Sequence, residues 1–424
     1  MQRALPALAV AAILAATVAA ASDARAADVD VPPGDGLAKA VAEAAPGDVL
    51  HLEAGVHRGA VTITTPRLTL EGAPGAILDG GGTGSAITIE AADVTVRGMT
   101  ISGSGLSLPD KNSGVFIGLG GDHAMIEDNH FDENLVGVYL DGPKDALVRR
   151  NRIDGLRRLR LNERGPGIEV FNTPGSKIVD NDVGDGRDGV FSVNSRDNEI
   201  RGNRFRRLRY AVHFMYTNSS RVLDNLSVGN DIGYAIMYSD HERIDGNVSD
   251  HDREHGLLMN YANDSDIDGN VVRGGEKCVF IYNANKNRLA GNWFENCDIG
   301  VHFTAGSERN EITDNAFVNN RRQVMYVGTR LLDWSVNGRG NYYSDNPAFD
   351  LNGDGVADTA YRPNDIVDQV IWRAPAAKIL LNSPALQVVR WAQAQFPAIH
   401  PGGVIDSAPL MKPPRPSALD RLTP

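Results

Sequence analysis

The stretch KIVDNDVGDGRDGVFSVNSRDNEIRGNRFRRLRYAVHFMYTNSSRVLDN, residues 177–225, carries the words VDN, RGN and LDN, which end at Asn181, Asn203 and Asn225, 22 residues apart each time. The same word continues in both directions. EDN, RRN, DGN, DGN, AGN and TDN end at Asn129, Asn151, Asn247, Asn270, Asn292 and Asn315, at steps of 22 or 23 residues apart from one of 30 between Asn151 and Asn181. The extra residues of that step fall in LRRLRLNERGPG, residues 156–167. Each unit holds one short alternating stretch such as RVLDN, a turn, and a second stretch opened by a small residue, such as GVYL, GVFSV or GVHF. Period-2 strands with Asn-rich turns at fixed spacing predict an all-β, right-handed parallel β-helix of about 22 residues per coil. The asparagine is expected to sit in the left-handed turn conformation and to hydrogen-bond through its amide to the next coil.

Stacking places equivalent residues of successive coils above one another. In the second stretch, Val138, Leu140, Val190, Ser192, Val212, Phe214, Val301 and Phe303 should point inward as a core. The alternate positions should then point outward, among them Phe191, His213, Met215, Met237, Phe280, Tyr282 and His302, with a tyrosine column Tyr216, Tyr238 and Tyr261 beside them. An outward face this apolar is unusual in water, so either the chain's own loops or tail cover it or it is an extended partner-binding face. The chain has only eight methionines, and two of them recur in the pairs Met215-Tyr216 and Met237-Tyr238. Thioether and imidazole together suit Cu(I), which makes His213, Met215, Met237 and His302 candidate ligands against the plainer reading of packing.

The ends of the chain read differently. Residues 1–26, MQRALPALAVAAILAATVAAASDARA, have a basic start, an alanine-rich apolar run and a small-x-small ending, the pattern of a secretory leader cleaved before Ala27. The β-helix is expected over 27–345, opened by a cap helix within GLAKAVAEAAPGDVLHLEAGVHRG, 36–59. A net charge of −12 argues against nucleic acid as a partner. In the extension, 346–424, Asp350, Asn352, Asp354 and Asp358 occupy positions one, three, five and nine of a calcium loop whose twelfth position is Tyr361, so bound Ca²⁺ and a plain Asp/Gly turn both remain open. Ser383-Pro384 then starts a helix containing Leu386, Val389, Trp391 and Phe396, which either caps the last coil or docks to another protein.

Parallel β-helices often process acidic polysaccharides, and such enzymes need an acid, a base and a cation facing one groove. The Asp-Pro-His of periplasmic uronan epimerases and the Asn-Thr-Asp set of polygalacturonases are both missing here. A lyase or epimerase would have to rest on outward carboxylates such as Glu169 and Asp188, and is the alternative function.

YAVHFMYTNSSRVLDN (210–225), GYAIMYSD (233–240), GNYYSDNPAFDLNGDGVADTAYRPNDIVDQVIWR (340–373) and LLNSPALQVVRWAQAQFP with GGVIDSAPLM (380–397 and 402–411) resemble the NosD family of CASH-domain β-helix proteins, periplasmic maturation proteins of nitrous oxide reductase. Tyr343 stands where the family pattern leads one to expect Trp. The resemblance implies a non-enzymatic periplasmic subunit on an ABC transporter permease and its ATPase, required to build the copper-sulfide cluster of the reductase. It also implies a copper chaperone lipoprotein and the reductase itself as partners, with the C-terminal region on the permease. Cys278 and Cys297 lie in adjacent coils, so a structural disulfide is the first expectation and copper thiolates beside His302 the second.

Overall fold

In the computed structural model, which describes residues 26–304, 306–328, 330–380, 383–395 and 402–422, the chain winds into a parallel β-helix of three sheets holding 13, 13 and 12 strands. The first 25 residues of the leader and Phe396 lie outside the described residues. The coil around Asn203 shows the plan: strand Glu199–Arg201 in the first sheet, Arg204–Arg206 in the second and Tyr210–Met215 in the third. Each coil therefore has three strands rather than the two read from the sequence, because Asn203 separates two three-residue strands that look like one alternating run. Pairing is parallel and in register, Val190 against Val212 against Tyr234. The inward positions of the third sheet are buried as expected.

The asparagines are not the left-handed residues. That conformation belongs to the residue before each one: Asp128, Arg150, Asp180, Gly202, Asp224, Gly246, Gly269, Gly291 and Asp314, with φ between 52° and 68°. The turn this residue makes points the asparagine inward, where water cannot satisfy its amide. Asn203 Nδ2 and its backbone N–H both donate to Asn225 Oδ1 at 3.0 Å, and the same arrangement runs through Asn247, Asn270, Asn292 and Asn315 to Asn341. A second ladder at another corner runs Ser176, Asn198, Ser220, Glu242, Ser265, Asn287, each accepting from the backbone N–H of the coil before it.

Both ends of the solenoid are closed. Helix α1 (Leu37–Glu43) buries Leu37 and Val41 against the first coils. At the other end the chain leaves the stack after Tyr342–Tyr343 and forms helices α2 (Ile366–Arg373) and α3 (Pro384–Gln395). It then returns as strand Gly403–Ile405, parallel to Leu331–Asp333. Asn364 Nδ2 donates to Val324 O at 2.7 Å and covers the last strand of the third sheet. Asp406 Oδ2 accepts from Asn341 N (2.7 Å), Asn341 Nδ2 (3.1 Å) and the Tyr343 hydroxyl (3.2 Å), finishing the asparagine ladder with a carboxylate. The hydroxyl of Tyr343 gives that position a role specific to tyrosine. The Pro-rich end then runs back along the flank, where Ala418, Leu419 and Leu422 pack on Leu226, Val248, Val271 and Trp293.

Asp406→Ala is expected to leave three buried donors without an acceptor, at about 1–3 kcal/mol each. The end coil should open locally, which amide hydrogen exchange at residues 341–343 and 403–410 reads directly. Asp406→Asn keeps an acceptor and should exchange much more slowly than Asp406→Ala; equal protection in both variants would remove the capping role.

Candidate partner-binding face and soft-ligand cluster

The outward face of the third sheet divides into two halves. Toward the N-terminus the inserted loop of residues 156–167 and the preceding coil fold over it, so that Leu108, Leu156 and Leu159 pack on Phe116, Tyr139 and Phe171. Lys111 lies over the rings of Tyr139 and Phe171, 5.6 Å from each centroid, and pairs with Asp141. From the coil of Tyr210 onward no such loop crosses among the described residues. Here Ile232, Ala235, Tyr210, Met237, Leu258 and Phe280 form a shallow apolar cluster.

Beside that cluster stands the tyrosine column. Tyr216, Tyr238 and Tyr261 stack ring on ring at 5.1 and 5.0 Å, and Tyr282, from the strand alongside, meets Tyr261 edge-on at 6.0 Å. All four rings are exposed. Tyr216, Tyr238 and Tyr261 have φ of 55°, 49° and 52°, and the same corner is filled by Asn172, Asn194 and Asn283 in neighbouring coils. Asparagine takes that conformation readily whereas a bulky side chain does so at about 1–3 kcal/mol. The chain thus holds three aromatic rings at a strained corner, in solvent.

His213 is outward yet only 5% exposed. It stacks on Phe191 at 4.7 Å and meets Tyr210 at a tilt, ring centroids 4.6 Å apart, which pins the ring. Its Nδ1 faces Asp188 Oδ2 at 3.4 Å, and its Nε2 is buried without a partner. Asp188 is fully buried and bridged by the Arg209 guanidinium at 2.9 and 2.7 Å. Burial pushes the Asp188 carboxyl up, but the hydrogen bonds from His213 and Arg209 outweigh it and hold it below the usual carboxylate range. One coil before, Glu169 is raised to about 7 by burial, partly offset by Arg187 and Tyr139. Sequence inspection alone missed Arg209 and Asp188 as partners of His213; in register Asp188 pairs with Tyr210, so only the stacking brings the three together.

The other candidate ligands separate into groups. Met215 and Met237 are neighbours in register, and both are half-buried on the face that carries His213. His302 stands four strands further along, roughly 19 Å at 4.8 Å per strand, so the four candidates do not form one centre. It stacks instead on Phe280 at 4.8 Å, where burial lowers its pKa to about 4. Cys278 and Cys297 are bonded to each other, with Cα atoms 5.7 Å apart, which takes both thiols away from His302. The calcium-loop candidates use their oxygens on their own backbone. Asp350 accepts from Gly353 N and Gly355 N, Asp354 from Val356 N and Asp358 from Leu351 N. Among the described residues no group of three or more His, Cys, Asp or Glu side chains is gathered for a metal. The loop is an Asx-turn structure. On α3, Leu386 is half-buried while Val388, Val389 and Trp391 are exposed, so the helix does not lay this stripe on the last coil.

The fold is that of a closed parallel β-helix with an aromatic and thioether-bearing outer face. Residues 149–348 match the family described as periplasmic copper-binding protein (NosD). A probable ABC transporter binding protein NosD of Stutzerimonas stutzeri is 41% identical over 376 residues, covering 85% of this chain and 86% of the relative. One of the same name from Pseudomonas aeruginosa is 40% identical over 377 residues, covering 86% and 88%. The chain belongs to the NosD family. Among solved structures it is similar to the A-module of the Azotobacter vinelandii mannuronan C-5 epimerase AlgE6 (TM-score 0.52, 15% identity, covering 70% of this chain and 93% of that one). It is also similar to the lidless DFA-IIIase of Arthrobacter chlorophenolicus A6 (TM-score 0.54, 18% identity, covering 72% and 99%). At that identity the likeness is one of fold.

Proposed function

We propose that this chain is an exported, periplasmic, non-catalytic subunit of an ABC transporter assembly that builds the copper-sulfide cluster of nitrous oxide reductase. It docks on the permease through α3 and offers the open half of its third sheet to a copper chaperone lipoprotein and to the unfinished reductase. ATP hydrolysis on the far side of the membrane reaches this chain only through the permease, so α3 is where the coupling enters. No helix among the described residues is long and apolar enough to span a membrane.

The observation that carries the docking reading is the exposure of Val388 (63%) and Trp391 (64%) on a helix whose two flanking segments are tied to the end coil. Large apolar side chains left in water on a tethered helix fit a partner surface. Deleting everything after Ser383 is a poor test, since it also removes Asp406 and the end cap. The double variant Val388→Asp, Trp391→Ala removes only exposed side chains. Its thermal unfolding should match the parent, while recovery of the permease in pull-downs from detergent-solubilised membranes should fall at least about tenfold, the loss of a hot spot of about 1.4 kcal/mol or more. Undiminished recovery would show that α3 is not the docking element.

A further inference from the structure

We propose that the third sheet holds one Cu(I) through His213 Nε2 and the thioethers of Met215 and Met237, with Asp188 as the carboxylate that positions the imidazole. The inference rests on the reading of copper as cargo and adds the residues that take it.

Three observations converge. His213 Nε2 is buried and has no partner, a costly state for a ring nitrogen unless a ligand completes it. Asp188 Oδ2 faces His213 Nδ1 at 3.4 Å, and the tautomer that donates from Nδ1 to this oxygen carries its lone pair on Nε2. A carboxylate behind a histidine is the usual way a protein fixes tautomer and ring orientation for a metal, and its loss costs about 10–100-fold in affinity. The third observation is the neighbourhood. Met215 and Met237 lie side by side, two residues along from His213 and Ala235 on the same face. Ala235 is the smallest residue of its outward column, between His213 and Leu258, and is itself buried in the apolar cluster that Met237 joins. Two thioethers and a neutral imidazole are soft, uncharged donors, which favour Cu(I) over Zn²⁺ or Ca²⁺. Arg209 is neutralised by Asp188, so it does not repel the monovalent ion.

The test is an anaerobic competition titration of the mature chain with Cu(I) against bicinchoninate. The parent should take up one equivalent at this site. Met215→Leu and Met237→Leu, which keep the side-chain volume, should each weaken binding, and His213→Ala should weaken it at least about tenfold. Asp188→Asn should weaken it about 10–100-fold in the parent and not at all in the His213→Ala background, because it acts only through the imidazole. His302→Ala should leave the affinity unchanged. Equal losses from Asp188→Asn in both backgrounds would reduce Asp188 to a structural role, and unchanged affinity in His213→Ala or a collapse in His302→Ala would overturn the site. Permease pull-down with the same proteins separates the two readings: a chain that co-purifies with the permease but takes up no Cu(I) sinks the site alone.

Discussion

Asn225→Ala should destabilise the solenoid by on the order of 4 kcal/mol or more, from one side chain that contributes no apolar contact. Asn225 is fully buried, and its Oδ1 accepts both the backbone and the side-chain N–H of Asn203 while its Nδ2 donates to Ile200 O at 2.8 Å and to Asn247 Oδ1 at 2.9 Å. Alanine removes all four bonds, at about 0.5–1.5 kcal/mol each, and leaves the Asn203 backbone N–H buried without an acceptor, at about 1–3 kcal/mol more, while Asn203 Nδ2 keeps Ile178 O and Arg201 O. Water cannot enter, since the ladder is sealed between sheets one and two. Urea unfolding followed by circular dichroism and by tryptophan fluorescence reads the loss, and both probes are needed because coils of a solenoid can unfold in sequence. Asn194→Gly is the contrast: Asn194 is exposed, with φ of 50°, and glycine adopts that conformation freely, so stability should stay within about 0.5 kcal/mol. A loss below about 1 kcal/mol in Asn225→Ala would mean that the ladder is not what holds the coils in register.

Glu242→Gln should raise stability, and more so the higher the pH. Glu242 stands in the second ladder at 2% exposure, and burial pushes its carboxyl up to about 9 against an ordinary 4.5. Between those values the folded chain keeps the proton that the unfolded chain has released. The folded state therefore binds more protons, and stability falls as pH rises, by up to about 1.4 kcal/mol per pH unit. The window opens near pH 4.5 and closes near pH 9. Glutamine has no proton to lose. Ser220 N keeps its acceptor, and at the matching corners the Asn198 and Asn287 amides donate to Thr173 O and Ala262 O, a route open to the glutamine amide. At pH 7.5 the variant should gain on the order of 3 kcal/mol over the parent, and at pH 5 less than about 1 kcal/mol. Parallel pH dependences of the two proteins in urea unfolding would show that Glu242 is ionised in the folded state.

The solenoid was readable because its cause is local and repeats. An asparagine every 22 or 23 residues, followed by small-residue openings and alternating apolar positions, has one packing solution, and neighbouring coils repeat it. Asn129, Asn151 and Asn181 could be aligned even across the longer third coil, since the insertion is a loop and leaves the turn chemistry intact. The inward residues of the third sheet followed from the same counting. What counting could not give was which turn residue is left-handed. Asp-Asn and Gly-Asn both satisfy the composition of such a turn, and only the backbone shows that the first residue turns and the second points in.

Sequence by itself determined the parallel stack, its period and the outward aromatic column, because each depends on residues a fixed distance apart along the chain. Tertiary structure decided everything that joins residues without such a period. Asp406 closing the ladder 65 residues beyond Asn341, Arg209 and Asp188 gathering at His213, and His302 standing apart from the methionines all arise where the chain stacks on itself. Hydrogen bonds and burial act over a few ångströms in space, so a pattern in sequence reveals them only where the fold keeps spacing and distance in step.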